Sequence, residues 1–105
     1  MAVTVVRYKT HPDRADENQA LVEEVFAELH ADHPQGLRYT TYRLEDGVSF
    51  VHVAEVDTAD GVNPLTQTSV FGQFLADIAA RCEEPPVAAS ATVVGAYGNA
   101  GPTDG

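Results

Sequence analysis

Two alternating runs that meet at a tight turn constrain this chain more than any other feature. Leu37 to Glu45 and Val48 to Val56 each read as a strand, and Asp46-Gly47 between them is the dipeptide that favours a two-residue hairpin with φ > 0. Such a loop sets the register: Glu45 opposite Val48, Arg43 opposite Phe50, Thr41 opposite His52 and Tyr39 opposite Ala54. Side chains alternate faces along a strand, so Tyr39, Thr41, Arg43, Phe50 and His52 share one face. Arg38 meets Glu55 on the other face, an opposite-charge pair that agrees with this register.

The segments on either side repeat one plan. Val3 to Lys9 is rich in β-branched residues and ends at His11-Pro12-Asp13, a strand followed by a breaker. Asp13 is the expected helix N-cap, and Leu21, Val22, Val25, Phe26 and Leu29 then recur at helical spacing until Pro34-Gln35-Gly36. After a polar loop from Asp57 to Pro64, Val70, Phe71, Phe74, Leu75, Ile78 and Cys82 form the stripe of a second helix, which Pro85-Pro86 is expected to end. Val87 to Tyr97 reads as a last strand. The order strand, helix, strand, strand, helix, strand, with right-handed crossovers, predicts an α+β ferredoxin-like plait: a four-stranded antiparallel sheet with both helices on one face. Residues 1–98 form one domain on this reading, and 99–105 form a mobile tail of the 105-residue chain.

A sheet covered by helices on one side is expected to be polar on the other. Here both faces of the third strand are apolar, with Val51 and Val53 on one and Phe50, Ala54 and Val56 on the other beside His52. The second face needs a cover, and the expectation is a homodimer that packs sheet on sheet through the side bearing Leu37, Phe50, Ala54 and Val56. Sixteen acidic against six basic residues give a formal charge of −10, which disfavours nucleic acid and anionic membranes as partners. No apolar run approaches a membrane span and no signal peptide is recognisable, so the expected location is the cytoplasm.

Several stretches resemble a known group of proteins: Val6-Arg7-Tyr8-Lys9 through Phe26, Leu37-Arg38-Tyr39 through Val53, Asn63-Pro64-Leu65, and Arg81-Cys82-Glu83-Glu84-Pro85-Pro86. Together they are similar to small bacterial proteins of the dimeric α/β-barrel superfamily, which includes antibiotic biosynthesis monooxygenase-type domains. The resemblance spans roughly residues 3–98 and implies a homodimer with a cavity between sheet and helices. Haem-degrading members of that superfamily rely on an Asn, a Trp and a haem-ligating His on the second helix. This chain has no Trp, and Val70 to Glu84 contains no His, so haem chemistry is not expected. Cofactor-independent polyketide oxygenases of the same fold use Asn, Trp, Tyr and Arg; Tyr and Arg are present here and Trp is not.

His52 is the residue on which chemistry would turn. With Tyr39 and Arg43 on its face it could deprotonate a phenol and leave the oxyanion to those two groups, while Phe50, Thr41 and Tyr8 shape the ligand site. The alternative is a structural histidine bonded to Thr41. Tyr97 is a further candidate for the cavity wall. His30 and His33 lie three apart with His11 a helix length away, so no third ligand completes a metal site. Cys82 reads as a small buried residue of the second helix. The expectation is a dimeric barrel that binds a small aromatic molecule with neither metal nor cofactor, and performs cofactor-independent monooxygenation if it is an enzyme. The alternatives are a non-catalytic ligand-binding dimer and a structural accessory dimer with a filled cavity. A cavity bordered by both His52 and Tyr39 would favour binding, whereas a His52 that points to the helix face or is sealed among apolar side chains would remove the catalytic reading.

Overall fold

A computed structural model describes residues 2–98; the tail expected at 99–105 lies outside the described residues. Strands β1 (Ala2–Thr10), β2 (Leu37–Arg43), β3 (Ser49–Val56) and β4 (Cys82–Ala91) alternate with helix α1 (Ala15–Asp32) and the consecutive helices α2 (Ser69–Ala76) and α3 (Ile78–Arg81). The sheet order is β2-β3-β1-β4, with every neighbouring pair antiparallel. This is the βαββαβ plait that the sequence pattern predicts.

The hairpin register is the expected one, with Arg43 opposite Phe50, Thr41 opposite His52, Tyr39 opposite Ala54 and Arg38 opposite Glu55. The turn itself is longer than a two-residue loop. Leu44 N–H donates to Ser49 O (2.9 Å), Gly47 N–H to Leu44 O (2.9 Å), and within the turn only Gly47 takes a positive φ, at 79°. A four-residue connection centred on the same point preserves the pairing, because the register depends on the centre of the loop and not on its length. Asp46 holds the turn by accepting from Val48 N–H (2.9 Å), Ser49 N–H (2.8 Å) and Ser49 Oγ (2.6 Å). These bonds hold its carboxyl near a pKa of about 2.

Three boundaries move. Asp13 does not cap α1: it lies in a 3₁₀ turn (Pro12–Arg14), and the capping position belongs to Arg14, with no side-chain bond. Proline at the first position of that turn starts it without needing an N–H, which displaces the helix start past Asp13. The second helix breaks at Asp77 and ends at Arg81, so Cys82 is the first residue of β4 and half-buried there. Pro85-Pro86 sit inside β4 and do not end a helix. An edge strand tolerates prolines, and the pairing with β1 slips between Arg7↔Val87 and Lys9↔Glu84, which places both in a bulge. With β4 starting early it also finishes early, at Ala91, and Tyr97 is fully exposed beyond it, away from any cavity wall.

The largest correction concerns the sheet faces. Tyr8, Phe50 and Ala54 are buried under the helices, where the core also holds Ala15, Val22, Val25, Leu65, Phe74 and Ile78. The face away from the helices carries the other alternate set: Val3, Val5, Val51, Val53 and Val87 with Arg7, Arg38 and Tyr42. Period-two alternation states which residues share a face and is silent on which face meets the helices. Volume decides it here. The Tyr8 and Phe50 rings, stacked at 5.5 Å, fill space between sheet and helix that valines would leave empty.

Gly36 fixes the entry to β2. Its φ is +78°, and a Cβ there would lie 2.6 Å from the Asp57 carbonyl oxygen, so only glycine fits the bond from Asp57 N–H to Gly36 O (2.7 Å).

Candidate functional site

On the helix-facing side of the sheet, β1 and β3 place Val6 opposite His52 and Tyr8 opposite Phe50. α1 brings Asn18 against this surface on the stripe that also holds Val22 and Val25, and Arg81 arrives from the end of α3. Asn18 and Arg81 are fully buried and His52 is 5% exposed. Polar groups so placed are expected to bond to one another, and they form one continuous chain in which, among the described residues, the buried Arg81 Nη1 is left without a hydrogen-bond partner. Arg81 Nη2 donates to Phe74 O (2.9 Å) and Arg81 Nε to Asn18 Oδ1 (3.0 Å). Asn18 Nδ2 donates to the Tyr8 hydroxyl (2.8 Å), and that hydroxyl lies 2.8 Å from His52 Nε2. His52 Nδ1 lies 2.5 Å from the Tyr39 hydroxyl and 3.1 Å from Thr41 Oγ1. The Arg81 guanidinium also covers the Phe74 ring at 5.0 Å.

Beside this chain lies a cavity of about 180 Å³. Tyr8, His52 and Phe74 are buried at its floor, Tyr39 and Phe71 border it, and Thr4, Leu75 and Pro86 are among the less buried residues that border it. Its walls are mostly hydrocarbon and aromatic, with the Tyr8, His52 and Tyr39 polar atoms gathered on the sheet side. The site is electrically neutral. Burial pulls the His52 imidazole down to about 4, so it is uncharged at neutral pH. Burial likewise raises the Tyr39 phenol to about 12, and raises Tyr8 further against the opposing bond from Asn18.

Of the residues singled out from sequence, His52, Tyr39 and Tyr8 border this cavity. Thr41 bonds to His52 and lies in a shallower groove with Arg43 and Phe50. Phe50 is a core residue, 1% exposed and stacked on Tyr8. Arg43 is not part of the His52 group. It reaches outward at the hairpin end, donating to Gly47 O (2.9 Å), Gln19 Oε1 (2.7 Å) and Asp16 Oδ1 (3.2 Å), so it cannot hold an oxyanion beside His52. His52 does face the helices, which sequence reasoning took as counting against catalysis. The cavity, expected between sheet and helices, lies on that same side, so facing the helices does not by itself remove His52 from it. What weighs against a free base is the bonding: a hydroxyl engages each ring nitrogen.

Asn18 and Arg81 were not identified as site residues from sequence. A signal was present, because each polar residue sits on an apolar helical stripe: Asn18 before Val22 and Val25, Arg81 after Phe74 and Ile78. Among the described residues no group of three or more His, Cys, Asp or Glu is placed to hold a metal ion, and no helix is long and apolar enough to cross a membrane.

No protein-family model matches the sequence, and no curated protein matches it. Solved structures do match the fold. Rv0793 from Mycobacterium tuberculosis superposes with a TM-score of 0.72 at 15% identity, covering 91% of this chain and 97% of that one. An antibiotic biosynthesis monooxygenase gives 0.72 at 18% identity, over 90% of this chain and all of the other. SnoaB, a cofactor-independent oxygenase from Streptomyces nogalater, gives 0.60 at 19% identity, over 92% and 96%. The chain therefore has the fold of antibiotic biosynthesis monooxygenase domain structures along about nine-tenths of its length. At these identities the likeness is one of fold.

Proposed function

We propose that this chain binds a small aromatic molecule of one ring, bearing a hydroxyl or carbonyl, in the cavity between its sheet and α2–α3, and that it does so as a homodimer. The observation that carries this reading is a mostly apolar cavity of about 180 Å³ bordered by one imidazole and two phenols that are bonded together, with Thr4 and Asn63 as its other polar side chains. A volume of about 150 Å³ accommodates benzene, whereas drug-sized ligands occupy upward of about 300 Å³. One ring fits within this volume, and a larger ligand would extend out of the opening. An open cavity also speaks against the structural accessory dimer with a filled interior.

The monooxygenase reading adds a reaction to this site, and the likeness to SnoaB and other monooxygenase structures supports it at the level of fold. A quinol is both substrate and reductant in such a reaction. One atom of O2 enters a ring C–H bond, the two hydroxyl groups become carbonyls, and the second oxygen atom leaves as water with two of the substrate's hydrogens. In this scheme the ligand's proton passes to the Tyr8 hydroxyl as Tyr8 hands its own to His52 Nε2, and Tyr39 is the hydrogen-bond donor to the developing oxyanion. The test is a titration of the protein with hydroquinone and with a three-ring anthrone, followed by the tyrosine and histidine NMR signals, with oxygen uptake recorded in parallel. Saturable shifts with hydroquinone alone are expected, together with uptake of one O2 per quinol that His52→Ala abolishes. No binding of either compound would overturn the whole reading. Binding without uptake would remove the oxygenase step and leave the non-catalytic binding dimer.

A further inference from the structure

The buried chain from Arg81 to Tyr39 has a direction, and each bond in it dictates the next. A guanidinium has donors and no acceptor, so the atom of Asn18 that faces Arg81 Nε at 3.0 Å must be the carbonyl oxygen Oδ1. That orients the amide nitrogen Nδ2 toward the Tyr8 hydroxyl at 2.8 Å, where it donates. The Tyr8 oxygen is thereby an acceptor on that side, and its single proton has one remaining partner, His52 Nε2 at 2.8 Å. Were Nε2 to carry the proton instead, the Tyr8 oxygen would accept from both sides and its own proton would be buried without an acceptor among the described residues. We propose that Arg81 and Asn18 are positioning residues that hold His52 in one tautomer, with the proton on Nδ1 and Nε2 accepting from Tyr8.

Two consequences follow at the cavity. His52 Nδ1–H donates toward the Tyr39 and Thr41 oxygens, so the Tyr39 hydroxyl accepts from the ring and keeps its own proton to donate. The Tyr39 side of the cavity then offers a donor and favours a ligand oxygen that accepts. Full burial of Arg81 and Asn18, neither of which borders the cavity, is what makes this arrangement stiff: rotating any one member leaves a donor facing a donor. The bearing of the tautomer on ligand choice rests on the binding reading above, whereas the tautomer itself rests only on the bonds.

Asn18→Asp tests the direction with little change of shape. A carboxylate beside Arg81 accepts on both sides, so Tyr8 must donate to it, and the Tyr8 oxygen must then accept from His52 Nε2–H. The measurement is a long-range proton–nitrogen correlation spectrum of the unliganded protein at pH 7, in which the unprotonated ring nitrogen of His52 lies far downfield of the protonated one. The expected result is a protonated Nδ1 in the native chain and a protonated Nε2 in Asn18→Asp. A protonated Nε2 in the native chain, or the same tautomer in both proteins, would overturn the proposal. If Asn18→Asp fails to fold, Tyr8→Phe serves: it removes the donor to Nε2, and the two nitrogen shifts are expected to move toward an average. Unchanged shifts there would show that Tyr39 and Thr41 alone set the tautomer and would overturn the role of Arg81 and Asn18. Because no ligand is present, failure to find a ligand or a reaction leaves this outcome untouched, and the converse also holds.

Discussion

The buried imidazole makes a quantitative prediction about acid. His52 has a folded pKa of about 4 against an ordinary value of 6.5, because it is buried among aromatic rings and hydroxyls. Between these two values the unfolded chain binds a proton that the folded chain refuses, so stability rises with pH and falls as pH drops from 6.5 toward 4. For a single group the loss between pH 7 and pH 5 is about 2 kcal/mol, approaching about 3 kcal/mol once pH falls below the folded pKa. A domain stable by about 5–15 kcal/mol survives this but shows it plainly. The other histidines, His11, His30 and His33, are exposed, and the depressed carboxylates Asp46, Glu17, Glu28 and Asp60 lose their contribution only at lower pH, as they protonate. The window from pH 7 to 5 thus reports His52. The assay is urea denaturation of the native chain and His52→Gln at pH 7, 6 and 5. Glutamine costs stability at every pH but has no proton to gain, so the gap between the two proteins is expected to narrow by about 2 kcal/mol on going from pH 7 to pH 5. Two curves that stay parallel would show that His52 is not buried in the folded state, and the cavity floor described above would be wrong.

Tyr8→Phe is expected to cost about 2–4 kcal/mol, since it leaves both Asn18 Nδ2 and His52 Nε2 buried without a partner; a change below 0.5 kcal/mol in chemical denaturation would mean that water reaches these atoms freely. The outer sheet face predicts that light scattering at micromolar concentration reports twice the chain mass, and that Val51→Asp or Val53→Asp halves it, because a charge in the middle of a sheet-on-sheet interface of about 800 Å² per subunit loses its hydration. Phe50→Asp would unfold the chain instead, because Phe50 lies in the core.

The plait was legible because its signals are local. Alternation on both sides of Asp46-Gly47 places His52 opposite Thr41 whatever the shape of the turn, and the stripe from Leu21 to Leu29 marks α1 unaided. Arg43 shares a face with His52, as alternation requires. It also lies nearer the open end of the sheet, where a long side chain turns to Asp16 and Gln19 instead of inward. The start of β4 was hidden because Pro85-Pro86 signals a break in helix and in strand alike, and only the bulged pairing with β1 reconciles it with an edge strand. Which face meets the helices is a tertiary matter. Both alternate sets are apolar, and the difference between aromatic rings and valines has meaning only once the gap to α1 and α2 is defined.

The charge of the site narrows the ligand further than its shape does. Formal charge on the chain is −10, so an anion approaches against the field of the whole surface. Inside the cavity the polar atoms belong to neutral groups: His52 is uncharged at neutral pH, with one ring N–H, and Tyr8 and Tyr39 keep their protons. The nearest buried cation, Arg81, is engaged by Asn18, the Phe74 carbonyl and the Phe74 ring, and it does not border the cavity. A phenolate or carboxylate entering here would give up its hydration for hydroxyl dipoles alone, an exchange that is unfavourable by several kcal/mol to order of magnitude. On the binding reading proposed above, the ligand is therefore a neutral molecule. If oxygen chemistry takes place, the anion it requires has to be made after binding, with its proton passing to a histidine whose own basicity burial has lowered. On that reading, binding and turnover make opposite demands on His52: burial would favour a neutral ring in the cavity and would slow the proton transfer that opens the reaction.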